Sequence, residues 1–172
     1  MQQRNLTIHK SRATSEVVLL FLLNAVAFAL ALGQAVQPSY AEVGMRRETL
    51  TVQTQSGPTV IDIEVAETSE EKARGLMFRA KVPDRTGMLF PYGTPQEITM
   101  WMKNTYASLD MVFIRGNGIV HRIETNTEPM SERVIASEGP VTAVLELAAG
   151  AAAKLGIKPG DRVQHKAFSA TP

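Results

Sequence analysis

Apolar and polar positions alternate along much of the chain. Leu50, Val52 and Thr54 interleave with Thr49, Thr51 and Gln53, the period-two pattern of a half-buried strand. Gln55-Ser56-Gly57-Pro58 reads as a turn. Val60, Ile61, Ile63 and Val65, with Asp62 and Glu64 between them, predict a second strand. So short a connection predicts an antiparallel hairpin. Thr68, with Glu71 three residues on, spells a capping box and predicts a short helix from about Ser69 to Leu76, its acids in the first turn. Met77 to Thr86 has no period, and Pro83-Asp84 marks a turn. Gly87-Met88-Leu89-Phe90 predicts a short buried strand stopped by Pro91.

Alternation returns over Glu97 to Lys103. Ile98, Met100 and Met102 share one face, Thr99, Trp101 and Lys103 the other. Asn104 to Leu109 reads as a loop and Asp110 to Arg115 as a strand. Asn117-Gly118 predicts the positive-φ pair of a tight hairpin, with Ile119 to Glu124 returning. Thr125 to Gly139 is polar and irregular. Val141 to Leu147 predicts a strand, and alanine-rich Ala149 to Leu155 a short helix ended by Gly156. A turn at Lys158-Pro159-Gly160-Asp161 leads into a last strand, Arg162 to Phe168. The expected fold is α+β: a single compact domain with a mainly antiparallel, curled, barrel-like sheet of about seven strands and two short helices. It occupies residues 49–168, after a lead-in at 42–48 and before a tail at 169–172.

The first forty residues follow a different pattern. Arg4, His9, Lys10 and Arg12 face a single acid, Glu16, and Val17 to Leu32 is apolar except for Asn24. A polar stretch ending in Ser39-Tyr40-Ala41 follows. A basic region, an apolar region and a small-x-small site predict a signal peptide over residues 1–41, cleaved after Ala41, with Ala35 as the second candidate. The alternative is an uncleaved anchor at residues 17–32, whose helix of about 24 Å falls short of a hydrocarbon core of about 30 Å. Both readings place the domain outside the cytoplasm, periplasmic or secreted. The absence of an Arg-Arg pair before the apolar run favours general secretion over twin-arginine export.

Composition narrows the chemistry. The chain has 172 residues, no cysteine and a net charge of +1. Disulfides, thiolate metal sites and a cysteine nucleophile are excluded. Beyond residue 41 there are 15 basic and 16 acidic residues, so bulk charge gives no reason to expect a nucleic-acid partner. There is no phosphate loop, no GxGxxG and no GxSxG. His121 and His165 each stand alone, so no metal site and no cofactor are expected. Met77, Met88, Met100, Met102 and Met111 read as core filler.

The candidate site centres on Trp101-Met102-Lys103-Asn104-Thr105. With Ile98, Met100 and Met102 toward the core, the chain's single tryptophan and Lys103 emerge together beside Asn104. An indole with a cation and an amide suits a small polar or anionic ligand. The bland alternative has Trp101 covering a second, smaller core while Lys103 is solvated. Arg74 ends the first helix and can serve its C-terminus or the pocket rim. Asp110, at a strand start, can cap backbone or pair with Lys103 or Arg74. Glu146, between Leu145 and Leu147, needs a partner such as Arg74 if it points inward. Arg74, Trp101, Lys103, Asn104, Asp110 and Glu146 are therefore the candidate ligand-binding residues. Two other function classes compete with a binding module. One is a hydrolase or isomerase using Asp110 and Glu146 as acid and base, which must approach within about 5–10 Å. The other is an envelope protein-interaction module using an edge strand. A protein partner is otherwise unknown, and a membrane is met only through an uncleaved N-terminus.

Several motifs recur in order: Arg74-Gly75-Leu76-Met77, Gly87-Met88-Leu89-Phe90, Trp101-Met102-Lys103-Asn104-Thr105, Leu109-Asp110 with Phe113-Ile114, Leu145-Glu146-Leu147, Gly156-Ile157 and Gly160-Asp161-Arg162-Val163. On these the chain resembles the family catalogued as domain of unknown function 192, from about Thr49 to His165. The resemblance implies a compact strand-rich α/β domain, often exported in bacteria. It implies no established activity, so no catalytic residue carries over. Ala107-Ser108 departs from the bulkier or proline-containing pair common before Leu109 in that family.

Overall fold

The computed structural model describes residues 44–168. The expected leader and its cleavage sites, and the tail at 169–172, lie outside the described residues. Nine elements run in the order β1 (Arg46–Thr54), β2 (Gly57–Val65), α1 (Ser69–Arg74), β3 (Thr86–Met100), β4 (Leu109–Ile114), β5 (Val120–Glu124), β6 (Ile135–Ala148), α2 (Ala151–Lys154) and β7 (Arg162–Gln164), with a 3-10 turn at Lys166–Phe168. None of the described helices is long and apolar enough to cross a membrane.

The seven strands form one sheet in the order β5-β4-β6-β3-β2-β1-β7. All neighbours are antiparallel except β2 and β3. A parallel pair needs a crossover, and α1 with residues 75–85 supplies it. The sheet curls until its two edges touch: Val120 N–H donates to Asp161 C=O and Gly160 N–H to Val120 C=O, both at 2.9 Å. This is the α+β, curled, mainly antiparallel architecture that the alternation predicts.

Each face of the sheet has its own core. Inside the curl lie Leu50, Ile61, Ile63, Leu89, Val112 and Leu145, with α2 closing one end through Ala151 and Ala152. Against the outer face lie Met88, Phe90, Met111, Phe113 and Val144, covered by Ile98 from the far end of β3 and by Leu76 and Met102 from the connecting segments. Strand β6 divides its side chains between the two: Leu145 and Leu147 face inward, Val144 outward. Glu146 pairs with outward-facing Met88 and Met111 in register, so it belongs to the outer layer.

Several boundaries differ from the sequence expectation, each for a local reason. Pro91 does not stop its strand. β3 continues to Met100, with register shifts against β6 between Pro91 and Gln96. The pairing with β2 ends at Val65 and Leu89, leaving that edge of β3 open, where proline is tolerated. α1 ends at Arg74 rather than Leu76 because Gly75 takes φ 48° and caps it. Its capping box is present, Glu71 N–H donating to Thr68 Oγ1 at 3.1 Å and Thr68 N–H to the Glu71 carboxylate at 2.8 Å. In the β4–β5 connection only Gly118 has positive φ, 79°. Asn117 instead accepts the Ile119 N–H through Oδ1, and a bulge falls between Phe113 and Ile114. β6 begins at Ile135, inside the stretch expected to be irregular, and the last strand stops at Gln164.

Candidate functional site

The sheet's outer core is not fully covered. Between α1, β3 and β6 lies a cleft of about 430 Å³. Glu146 reaches it from β6, Phe90 and Tyr92 from β3. α1 brings Lys72 and Arg74 to it, the turn after α1 brings Met77, and Trp101 and Val134 reach it from the outer side.

Glu146 is the unusual group. It is only 5% exposed and has no hydrogen-bond or ion-pair partner among the described residues. Burial without any offsetting charge raises its pKa from 4.5 to about 8. The side chain is therefore mostly a neutral carboxylic acid at pH 7, able to donate one hydrogen bond and accept others. Burial, and then the neighbouring Glu146, also raise the pKa of Tyr92. Among the described residues the Tyr92 hydroxyl finds only the Met100 sulfur, 3.6 Å away, a weak acceptor. Two hydrogen-bonding groups thus meet the cleft without a strong partner.

Two cations share the cleft. Lys72 Nζ lies 5.1 Å above the Tyr92 ring, within cation–π range. Arg74 is exposed. Neither lies within ion-pairing reach of a carboxylate among the described residues. Arg74 does not pair with Glu146, so the buried carboxyl lacks the partner that the sequence leads one to expect.

The segments around the cleft are tied to one another. Phe78 N–H donates to Asn104 C=O at 2.9 Å, Met130 N–H to Thr105 C=O at 3.1 Å, and Met102 N–H to Ser131 C=O at 2.9 Å. Phe78, Asn104 and Met130 are held at φ 63°, 55° and 62°; asparagine tolerates this region, whereas Phe78 and Met130 keep it only through the surrounding structure. Phe78, Trp101, Tyr106, Met130 and Val134 are all exposed.

Of the six candidate residues, Arg74, Trp101 and Glu146 line this cleft; the other three do not. Lys103 does emerge beside the indole, its Nζ 5.3 Å from the Trp101 ring, but it pairs with Glu132 at 3.4 Å and stands outside the cleft. Asn104 serves the loop linkage, and its amide lies 4.0 Å from the Met77 sulfur. Asp110 is fully buried on the opposite face. Its two oxygens accept the backbone N–H groups of Asn126 and Ala152, each at 3.0 Å, so it caps α2 and ties down the chain after β5. It pairs in register with inward Leu147 while its neighbour Met111 pairs with Glu146. Asp110 and Glu146 therefore point to opposite sides of the sheet and cannot flank one bond, which removes the acid–base pair considered for an enzyme. Lys72, Tyr92 and Val134 were not anticipated. Tyr92 lay just past the supposed stop at Pro91, and Val134 in a stretch without period.

A second cleft, of about 680 Å³, lies over β1 and β2. It is larger, but its two arginines are engaged by one carboxylate: Arg79 binds Glu64 with two hydrogen bonds, at 3.1 and 2.5 Å, and Arg47 stands 3.9 Å from the same carboxylate, while Asp62 on its wall is exposed. The smaller cleft, with its unpartnered buried acid, is the better candidate.

Comparison with known proteins places these features in a wider group. The family model DUF192, described as "Uncharacterized ACR", matches residues 50–165. The chain is 40% identical to a Sinorhizobium meliloti 1021 protein, described provisionally as a transcription regulator, over 73% of this chain and 98% of that one, with a TM-score of 0.71. It is 42% identical to a protein of unknown function from Novosphingobium aromaticivorans DSM 12444, over 72% and 89%, with a TM-score of 0.69. No curated protein matches it.

Proposed function

Because the chain belongs to the DUF192 family, which brings no assigned activity, its function has to be read from its site, and we propose that it is a binding domain for a small polar or anionic ligand. The cleft between α1, β3 and β6 is the binding site. Trp101 and Val134 border it, Lys72 and Arg74 supply positive charge, and Glu146 is the inner polar group. The observation that carries the reading is Glu146 itself, a buried carboxyl opening on a cleft and left without a partner among the described residues. A carboxyl that is 5% exposed, reaches a cleft and finds no partner among the described residues is suited to a polar ligand entering there.

The basic-then-apolar N-terminus supports a role outside the cytoplasm. The regulator description of the Sinorhizobium protein finds no echo in the charge balance of this chain, 15 basic against 16 acidic residues beyond position 41. The test is a fluorescence titration. Trp101 is the chain's only tryptophan and lies half exposed at the cleft, so a ligand entering it changes the emission. Titration against a metabolite library should yield at least one saturable shift that Glu146→Leu weakens. A folded protein whose emission moves with no compound would refute the reading.

A further inference from the structure

The distribution of polar groups in the cleft specifies more than the presence of a ligand. Glu146 is buried beside Met88 and Met111, with the half-buried Tyr92 next to it. Lys72 and Arg74 lie on α1, toward solvent, and have no carboxylate in ion-pairing reach among the described residues. Met77, Phe90 and Trp101 supply apolar surface to the same cleft. Resting on the binding reading above, we propose that the cleft takes a linear amphiphile, with an uncharged hydrogen-bonding end (hydroxyl, amide or protonated acid) at Glu146 and an anionic end at Lys72 and Arg74.

Two physical arguments favour this polarity over its reverse. A cationic ligand would have to enter past two like charges that are not neutralised. Once inside, it would need an ionised Glu146 whose one neighbouring donor in the cleft is the neutral Tyr92 hydroxyl, and a buried ion pair so poorly supported does not recover its desolvation cost. An uncharged donor–acceptor end meets a carboxylic acid that can reciprocate both roles, while the anionic end stays where water and two cations solvate it. The groups facing Glu146 are few. α1 offers Lys72 and Arg74, β3 offers Tyr92, and β4 and the outward face of β6 offer Met111, Phe113 and Val144, none of them ionisable. The segment after β3 offers Trp101 and Thr105, and Lys103 is paired with Glu132 outside the cleft. Glu146 is therefore the group whose proton governs binding of the inner end.

The test is calorimetric, with ω-hydroxyhexanoate, hexanoate, ω-aminohexanoate and hexylamine as probes. They share a six-carbon chain and differ only in their ends. ω-Hydroxyhexanoate should bind best, about tenfold tighter than ω-aminohexanoate, with no proton released at pH 7 in buffers of different ionisation enthalpy. Its affinity should be level up to about pH 8 and then fall about tenfold per pH unit as Glu146 ionises. Glu146→Gln should keep the binding and abolish the fall, and Lys72→Ala with Arg74→Ala should weaken every anionic probe. Tighter binding of hexylamine or ω-aminohexanoate with release of a proton would overturn the polarity while leaving the binding site intact. Equal affinity for hexanoate and ω-hydroxyhexanoate would remove the role of the inner hydrogen bond. If no probe binds but the metabolite library yields a ligand, the ligand class is wrong and the binding reading stands. If neither moves Trp101 in folded protein, both fail.

Discussion

The buried acid makes stability depend on pH in a direction opposite to that of most carboxylates. Glu146 has a folded-state pKa of about 8 against 4.5 when solvated, with burial as the cause. Below pH 4.5 both folded and unfolded chains hold the proton, and its contribution is fully present. Between 4.5 and about 8 the unfolded chain gives the proton up while the folded one keeps it, so stability falls as pH rises. Above about pH 8 both are ionised and the loss is complete. At about 1.36 kcal/mol per pKa unit, the whole loss amounts to about 5 kcal/mol. That is a large share of a domain stability of about 5–15 kcal/mol. Urea unfolding of wild type and Glu146→Gln, followed by Trp101 emission from pH 4 to pH 9, isolates it, because every other titrating group is common to both proteins. The two should agree within about 1 kcal/mol at pH 4, since the amide imitates the protonated acid. By pH 9 the variant should be the more stable by about 5 kcal/mol. Parallel curves over that range would mean that Glu146 is solvated or paired in the folded protein, and the cleft would then hold no unpartnered acid for a ligand to meet.

Other substitutions probe the frame that holds the cleft. A Cβ at Gly87 would lie 2.5 Å from the Glu146 carbonyl oxygen and 2.8 Å from a Leu147 methyl. Gly87→Ala should therefore cost about 3 kcal/mol or more in thermal or urea unfolding, since strand backbone cannot step aside. Asp110→Ala should cost about 3–5 kcal/mol by orphaning two backbone N–H groups, yet leave affinity for any cleft ligand unchanged in the folded fraction, because Asp110 faces the other core. Among the described residues Thr142 Oγ1 is buried without a partner, so Thr142→Val should raise the unfolding free energy by about 1 kcal/mol. A loss in that measurement would reveal a bond to its hydroxyl.

Much of the fold is legible in the chain because period two is strong wherever one face of a strand is buried and the other is not. β1 and β2 show it in Leu50, Val52, Ile61 and Ile63, and the capping box at Thr68 marks α1. Legibility ends where both faces are buried. All six residues of β4, and Val141 to Leu147 in β6, are buried, so alternation vanishes and a run of apolar residues cannot say which side a polar one takes. Asp110 and Glu146 both sit in such runs. Only the register between β4 and β6 separates them, and register depends on pairings distant in sequence. The same holds for β3: Pro91 looks like a stop until the end of β2 leaves its edge open. Trp101 and Lys103 were legible because they follow a strand with one exposed face, whereas Tyr92 beyond the proline and Val134 just before β6 were not.

The two-core architecture also accounts for why the acid is where it is. The inner core is closed by strands and α2, and Asp110, buried on that side, has a backbone N–H for each oxygen. The outer core is closed by α1 and by the segments around Phe78, Asn104 and Met130, and that cover leaves the cleft. A leucine or methionine at 146 would complete the packing against Met88 and Met111 and would carry no pH-dependent loss. Glutamate there lowers stability at neutral pH and leaves a donor and an acceptor facing open space. A structural role explains neither feature, since a structural carboxylate is paired, as Asp110 is. A ligand that bonds Glu146 explains both: it satisfies the orphan group and returns part of the lost stability in proportion to its affinity and concentration.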